Sequence, residues 1–120
     1  MARILIADDA RIMRNILRLI VEKMGHDVVG EAASGDEAIQ LYQSLQPDLM
    51  TLDIHMEPTD GIRCLRDVMQ IDSNARILMV SAVGQQNMID KALGLGAVGY
   101  VTKPFQQEEI DRQVNAALAD

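Results

Sequence analysis

The chain has 120 residues, 48% of them hydrophobic and 24% charged, with a single cysteine and a net charge of −7. Those values fit one globular domain over residues 1–120 and exclude intrinsic disorder, a disulfide framework and a multi-cysteine metal site. The excess of 18 acidic over 11 basic residues disfavours nucleic acid or an anionic membrane as the main partner.

No apolar run reaches the ~18 residues of a membrane span. Met1-Ala2-Arg3 leads straight into Ile4-Leu5-Ile6, too short for a secretory h-region, so a cytoplasmic protein is expected. The aromatics are Tyr42, Tyr100 and Phe105, too few for a platform that stacks bases or sugars.

Apolar runs and amphipathic segments alternate along the chain. Residues 3–7 read as a strand that stops at Asp8-Asp9. Over residues 10–24, Met13, Ile16, Leu17, Ile20, Val21 and Met24 recur at helical spacing, with Arg11, Arg14, Arg18 and Glu22 on the opposite, solvated face. Gly25 ends that helix, and His26 reads as a turn residue. A second strand covers 28–32. Ser34 and Glu37 form a capping box that opens a helix carrying Ala38, Ile39, Leu41, Tyr42 and Leu45, with Pro47 after it.

The third strand, 49–52, runs into Asp53. A loop from 54 to 60 leads to a helix from Gly61 to about Ile71. The fourth strand, 76–80, ends at Ser81, and a helix over 85–95 is closed by Gly94 and Gly96. The fifth strand, 98–102, ends at Lys103-Pro104, and the last helix covers 106–118. Met13, Met50, Met69 and Met79 fill core positions, and Cys64 is a small buried apolar residue with no base beside it.

Five strand–helix units force parallel pairing, because each crossover helix returns the chain to the same edge. The expected fold is α/β: a doubly wound, five-stranded parallel sheet, (βα)5 and flavodoxin-like. Ligands bind such a sheet beyond the carboxyl ends of its strands. Those ends carry Asp8, Asp9, Asp53, Ser81 and Lys103. Three carboxylates and one lysine leave a deficit of about two charges, which suits one hard divalent cation, Mg2+ or Mn2+. A carboxylate beside such an ion can attack a phosphoryl group, and the cation and lysine then neutralise the phosphoryl oxygens.

Five motifs occur in order along nearly the whole chain: Ile4-Leu5-Ile6-Ala7-Asp8-Asp9, Met13-Arg14, Asp53-Ile54-His55-Met56 with Asp60-Gly61, Val80-Ser81-Ala82, and Lys103-Pro104-Phe105. Together they resemble the receiver domain of two-component response regulators. Residues 81–86 and the run 103–106 narrow the resemblance to single-domain chemotaxis regulators of the CheY type.

The resemblance implies that Asp53 is the phosphoacceptor for a phosphohistidine on a sensor histidine kinase. Asp9 and Asp53 would ligate Mg2+ directly with the backbone carbonyl of His55, and Asp8 would act through metal-bound water. Lys103 and Ser81 would contact the phosphoryl oxygens, and the Lys103-Pro104 bond would be cis. Ser81 would couple to Tyr100, remodelling the face of helix four, strand five and helix five (Gln86, Asp90, Lys91, Tyr100, Gln106) for a flagellar switch component or another effector. His55 and Val83 would flank the path of the hydrolytic water and tune the phosphorylated lifetime.

The chain departs from the receiver pattern at Glu57, where Pro is common and here follows at Pro58, and at His55, where smaller polar residues are common. On this reading the protein is a monomeric phosphoacceptor switch that catalyses its own phosphorylation and dephosphorylation, not an enzyme acting on a separate substrate. With no DNA-binding segment after residue 120, output is expected through a separate partner, or the chain is the receiver part of a longer regulator. A Mg2+-dependent aspartyl-phosphate phosphatase would want a second Asp two places after Asp53, where His55 stands. A flavin or nucleotide binder would want a Gly-rich anion loop where Asp8-Asp9 stands.

Overall fold

The computed structural model describes residues 1–57 and 60–119; Pro58, Thr59 and Asp120 lie outside them. Strands and helices alternate as β1 (Arg3–Ala7), α1 (Arg11–Lys23), β2 (Asp27–Ala32), α2 (Gly35–Leu45), β3 (Leu49–Asp53), α3 (Gly61–Ile71), β4 (Ile77–Ala82), α4 (Gln86–Gly94), β5 (Gly99–Lys103) and α5 (Gln107–Leu118). The strands form a five-stranded parallel sheet in the order β2-β1-β3-β4-β5, the expected doubly wound flavodoxin-like arrangement.

Burial explains which strands are central. β3 is buried throughout, β1 from Ile4 to Ala7, and β4 from Ile77 to Ser81, so these strands are covered on both faces, with Thr51, Asp53 and Ser81 as their buried polar members. One face carries Leu5, Met50, Leu52, Ile77 and Met79 against Ala38 and Tyr42 of α2, Leu65 and Val68 of α3, and Ile89 and Ala92 of α4. The other carries Ile4, Ile6, Leu49, Leu78, Val80 and Val101 against Leu17 and Val21 of α1 and Ile110, Val114 and Ala117 of α5. Each such buried aliphatic side chain contributes about 1.5–3 kcal/mol. That exceeds the ~1 kcal/mol net of one ladder hydrogen bond, so burial sets the strand order.

Helix ends follow local chemistry. After α1, Gly25 sits at φ +95°; its N–H donates to Glu22 O and that of His26 to Val21 O, which closes the helix as a Schellman motif. His26 does more than turn, because its Nδ1 accepts the Ala2 N–H at 3.0 Å and anchors the start of β1. At α2, Ser34 Oγ accepts from Glu37 N–H, while the Glu37 carboxylate reaches one residue further back than a standard capping box, to Ala33 N–H. Gly94 is the last residue of α4, as expected, and Gly96 at φ +114° makes the Schellman turn that closes it, through Gly96 N–H to Leu93 O and Ala97 N–H to Ala92 O.

Two expectations for α1 need correction. Ile16 is exposed, not core-facing, and Ile12 and Leu19 are 70% and 68% exposed. A helix at the sheet's flank touches it along one narrow stripe, filled here by Leu17 and Val21 four residues apart. The arginine face is also not simply solvated. Arg14 Nε and Arg18 Nε donate to opposite oxygens of Glu31 on β2, at 3.0 and 2.8 Å, and Arg14 Nη1 donates to the backbone oxygen of Asp8 at 2.7 Å. Met50 and Met79 are fully buried as expected, whereas Met13 and Met69 are half-buried.

Candidate functional site

The chain leaves β1 outward to β2 and returns on the other side of β1 as β3. The carboxyl ends of β1 and β3 therefore flank the crevice where the winding reverses, the place where open α/β sheets bind ligands. Asp8 and Asp9 follow β1 and Asp53 closes β3. Carboxylate oxygens of all three lie within 4.8 Å of one another, with Asp8 and Asp53 buried and Asp9 exposed. From β5, Lys103 Nζ reaches between the two buried acids, 3.1 Å from Asp8 Oδ2 and 3.3 Å from Asp53 Oδ2.

The local fold holds each acid in place. Asp8 Oδ1 accepts the Ala10 N–H at 2.8 Å, while Arg14 holds the Asp8 carbonyl. Asp53 Oδ1 accepts the His55 N–H at 3.3 Å. Gly61, at the start of α3, packs so closely on the end of β3 that a Cβ there would lie 2.1 Å from Asp53 O. Its N–H donates to Ile54 O at 2.7 Å. A side chain at residue 61 would push Asp53 out of position, which is the reason for glycine there.

Electrostatics mark Asp53 as the strained member. Burial, then the charge of Asp8, pushes its carboxyl up to about 6, against the opposing pull of Lys103 and the His55 N–H. For Lys103, burial works against the charged form. The hydrogen bond to Asp8 and the charges of Asp53 and Asp8 outweigh it, so the ammonium is held above its usual range. The Ser81 hydroxyl is fully buried at the end of β4 with no hydrogen-bond partner among the described residues.

The residues fit a hard divalent cation. The donors are all oxygen, two of the three carboxylates are buried with one ammonium between them, and the exposed Asp9 leaves the outer side open to water. Cys64 offers nothing to such a site. It is buried at α3 with its thiol pushed up to about 12 by desolvation and nearby acids, and its Sγ–H points at Gly35 O.

The remaining sequence candidates lie around this edge. Tyr100 is half-buried on β5 against the α2–α4 core, Val83 is 75% exposed after β4, and the Lys103–Pro104 bond is cis. His55 is exposed, but its ring is engaged: Nε2 meets the side-chain amide of Gln85. Glu57 is exposed, and Pro58 beside it lies outside the described residues.

Sequence reasoning passed over two contributors, Gln85 and the Arg14–Glu31 pair that fixes the Asp8 backbone. Glu31 had a readable signal, as an acid near the end of a strand that pairs alongside β1. Gln85 lies within the 81–86 run that narrows the resemblance, but an uncharged glutamine at the start of a helix gives no sign of a role in the pocket.

A doubly wound fold with an acidic pocket and a lysine at its switch point has the groups to bind a hard cation and accept a phosphoryl group. The family model for the response regulator receiver domain matches residues 4–115, and the chain belongs to that family. Among its relatives, the chemotaxis protein CheY of Bacillus subtilis is 45% identical over 116 residues, covering 97% of both chains. CheY of Thermotoga maritima is 43% identical over 113 residues, covering 94% of both. A chain of the crystal structure of the CheX-CheY-BeF3-Mg2+ complex from Borrelia burgdorferi superposes with a TM-score of 0.94 at 32% identity, over 98% of this chain and 90% of that one. Receiver domains are phosphoacceptor switches that take phosphate from histidine kinases and bind Mg2+ at an acidic pocket.

Proposed function

We propose that the protein is a CheY-like switch that accepts a phosphoryl group on Asp53 and transmits its state through α4, β5 and α5. One observation carries this reading: Asp53 is a buried, raised-pKa carboxylate held beside Asp8, Asp9 and the Lys103 ammonium at the sheet's switch point. A carboxylate oxygen of Asp53 forms the new O–P bond as the donor's N–P bond, on a kinase phosphohistidine, breaks. Lys103 neutralises the arriving oxygens, and the Ser81 hydroxyl is available to donate to one of them. Asp9, Asp53 and the carbonyl of His55 would hold Mg2+, with Asp8 behind a bound water. The ion supplies the remaining positive charge. The protein thus assists its own phosphorylation and hydrolysis. Its role is signalling, in chemotaxis or motility, through a flagellar switch component or similar effector. Uptake of a single phosphoryl mass from acetyl phosphate in Mg2+ is the direct test.

The switch reading rests on Ser81 and Tyr100. The Ser81 hydroxyl has no hydrogen-bond partner among the described residues, and Tyr100 lies two residues along β5 from Thr102, the register partner of Ser81. Movement of Ser81 toward the phosphoryl group opens room for the ring. With beryllofluoride and Mg2+, amide shifts at Gln86, Asp90, Lys91, Tyr100 and Gln106 are expected to move. A response confined to the loops after β1 and β3 would remove the coupling.

The lifetime reading rests on His55 and Val83, both at the exposed mouth. Val83 cannot hydrogen-bond a water and the His55 ring already meets Gln85, so neither side chain orients the attacking water. His55→Asn with Val83→Glu is expected to shorten the phosphorylated lifetime several-fold, about 1 kcal/mol of barrier. Phosphate release at fixed pH measures it, and an unchanged lifetime refutes it.

A further inference from the structure

The end of β4 presents a backbone donor to the pocket that nothing in the mechanism above uses. Ile54 N–H donates to Val80 O at 3.0 Å, so the peptide groups of Val80 face β3. Ladder direction alternates along a strand, so the N–H of Ala82, two residues on, faces the same side. β3 has ended by then, since its last residue, Asp53, is in register with Val80. The Ala82 N–H therefore points into the space beyond the end of β3, where the Asp53 carboxyl emerges. An oxyanion bound at Asp53 would find a fixed backbone donor there.

That donor is taken by the chain itself. Gln85 Oε1 accepts the Ala82 N–H at 3.1 Å. This fixes the orientation of the carboxamide, because only its oxygen can accept. Its nitrogen then donates to His55 Nε2, on the loop that follows Asp53. One side chain thus spans from the loop after β4 to the loop after β3, across the mouth of the pocket. Asp53 beneath is 4% exposed. The position of Gln85 just before α4 matters too: it is the N-cap residue, yet its side chain makes no capping bond to the helix and is committed to the pocket instead.

We propose that Gln85 is a latch on the phosphoryl pocket, holding the Ala82 N–H that an incoming phosphoryl group needs and releasing it when that group arrives. The proposal rests on Asp53 being the phosphoacceptor. In the resting protein the carboxamide stands in for a phosphoryl oxygen at Ala82. On phosphorylation it is displaced, and with it go the His55 link and the resting conformation of the turn into α4. Uptake of the phosphoryl group thereby acts on the N-cap residue of the helix whose face is the output surface, without a movement of Ser81 or Tyr100.

The test compares wild type, Gln85→Ala and Gln85→Glu. In the metal-free resting state, hydrogen exchange at the Ala82 amide is expected to be slow in wild type, fast in Gln85→Ala, and slow again in Gln85→Ala once beryllofluoride and Mg2+ are added. Initial phosphorylation by acetyl phosphate and affinity for beryllofluoride should both rise about fivefold in Gln85→Ala, the factor to which one hydrogen bond's net worth corresponds. The Mg2+ affinity should stay unchanged. Gln85→Glu keeps an acceptor for Ala82 and should label no faster than wild type. Unchanged Ala82 exchange, or uptake that is unchanged or slower in Gln85→Ala, overturns the latch. Absence of label on Asp53 in wild type overturns the phosphoacceptor reading instead, and is told apart because it appears before any variant is compared.

Discussion

In Mg2+ and acetyl phosphate the wild-type protein is expected to gain a single phosphoryl group, and Asp53→Asn to gain none. Three carboxylates share the pocket, so the choice among them needs a physical reason. Asp9 is exposed, where water competes with any phosphodonor. Asp8 accepts the Ala10 N–H at 2.8 Å through Oδ1, and its Oδ2 is ion-paired with Lys103 at 3.1 Å. Asp53 is held by longer contacts, 3.3 Å to the His55 N–H and 3.3 Å to Lys103, and its carboxyl is pushed up to about 6 by burial and by Asp8. A buried carboxylate that is held only by long contacts is the better nucleophile. Asn keeps the shape and removes the attacking oxygen, so the expected loss is complete. EDTA should have the same effect on wild type, because without a divalent cation the approaching phosphoryl group meets three carboxylates and a single ammonium. Intact mass and peptide mapping read both results. Stoichiometric label on another residue of the Asn variant would overturn the assignment.

The sheet was legible because its central strands are continuous apolar runs, a pattern that only strands covered on both faces require. Ile4-Leu5-Ile6 and Ile77 to Val80 carry that signal without reference to anything distant. Helix α1 was read less well for the converse reason. Periodicity marks every apolar residue on a broad face, and the contact stripe is narrower than the face, so the spacing groups Ile16 with Leu17 although Ile16 is exposed. The arginines of α1 looked solvated because their partner, Glu31, is a tertiary neighbour from β2.

The site followed from topology: once the strands were parallel, whatever ended them had to share an edge, and Asp8, Asp53 and Lys103 do meet there. What topology could not supply was the support around them. The close approach of Gly61 to Asp53 O, the grip of Arg14 on the Asp8 carbonyl and the Gln85 bridge all depend on loop paths that side-chain pattern does not encode.

Replacing Lys103 by Met is expected to cost the metal-free protein about 2–4 kcal/mol near neutral pH, and to slow phosphorylation by about 10²–10³. Met keeps the stem and removes the charge, leaving Asp8 and Asp53 buried together without a cation. The lower end of the range allows for partial exposure of Lys103, whose charge water also solvates. The pH dependence has a definite sign. The carboxyl of Asp53 is raised from 3.8 to about 6 in the folded state, so the folded protein holds a proton that the unfolded chain has released between those values. Wild type without metal therefore loses stability as pH rises from about 4 through about 6. Without Lys103, which pulls the Asp53 carboxyl down, that loss should be larger and extend to higher pH. Asp53→Asn removes the titrating group. It should stabilise the metal-free protein on its own, and in the Lys103→Met background it should restore most of what was lost, a coupling that a double-mutant cycle in urea measures. If Lys103→Met matches wild type in stability at neutral pH, the ammonium is not what holds the two buried acids together, and the charge balance drawn for this pocket is wrong.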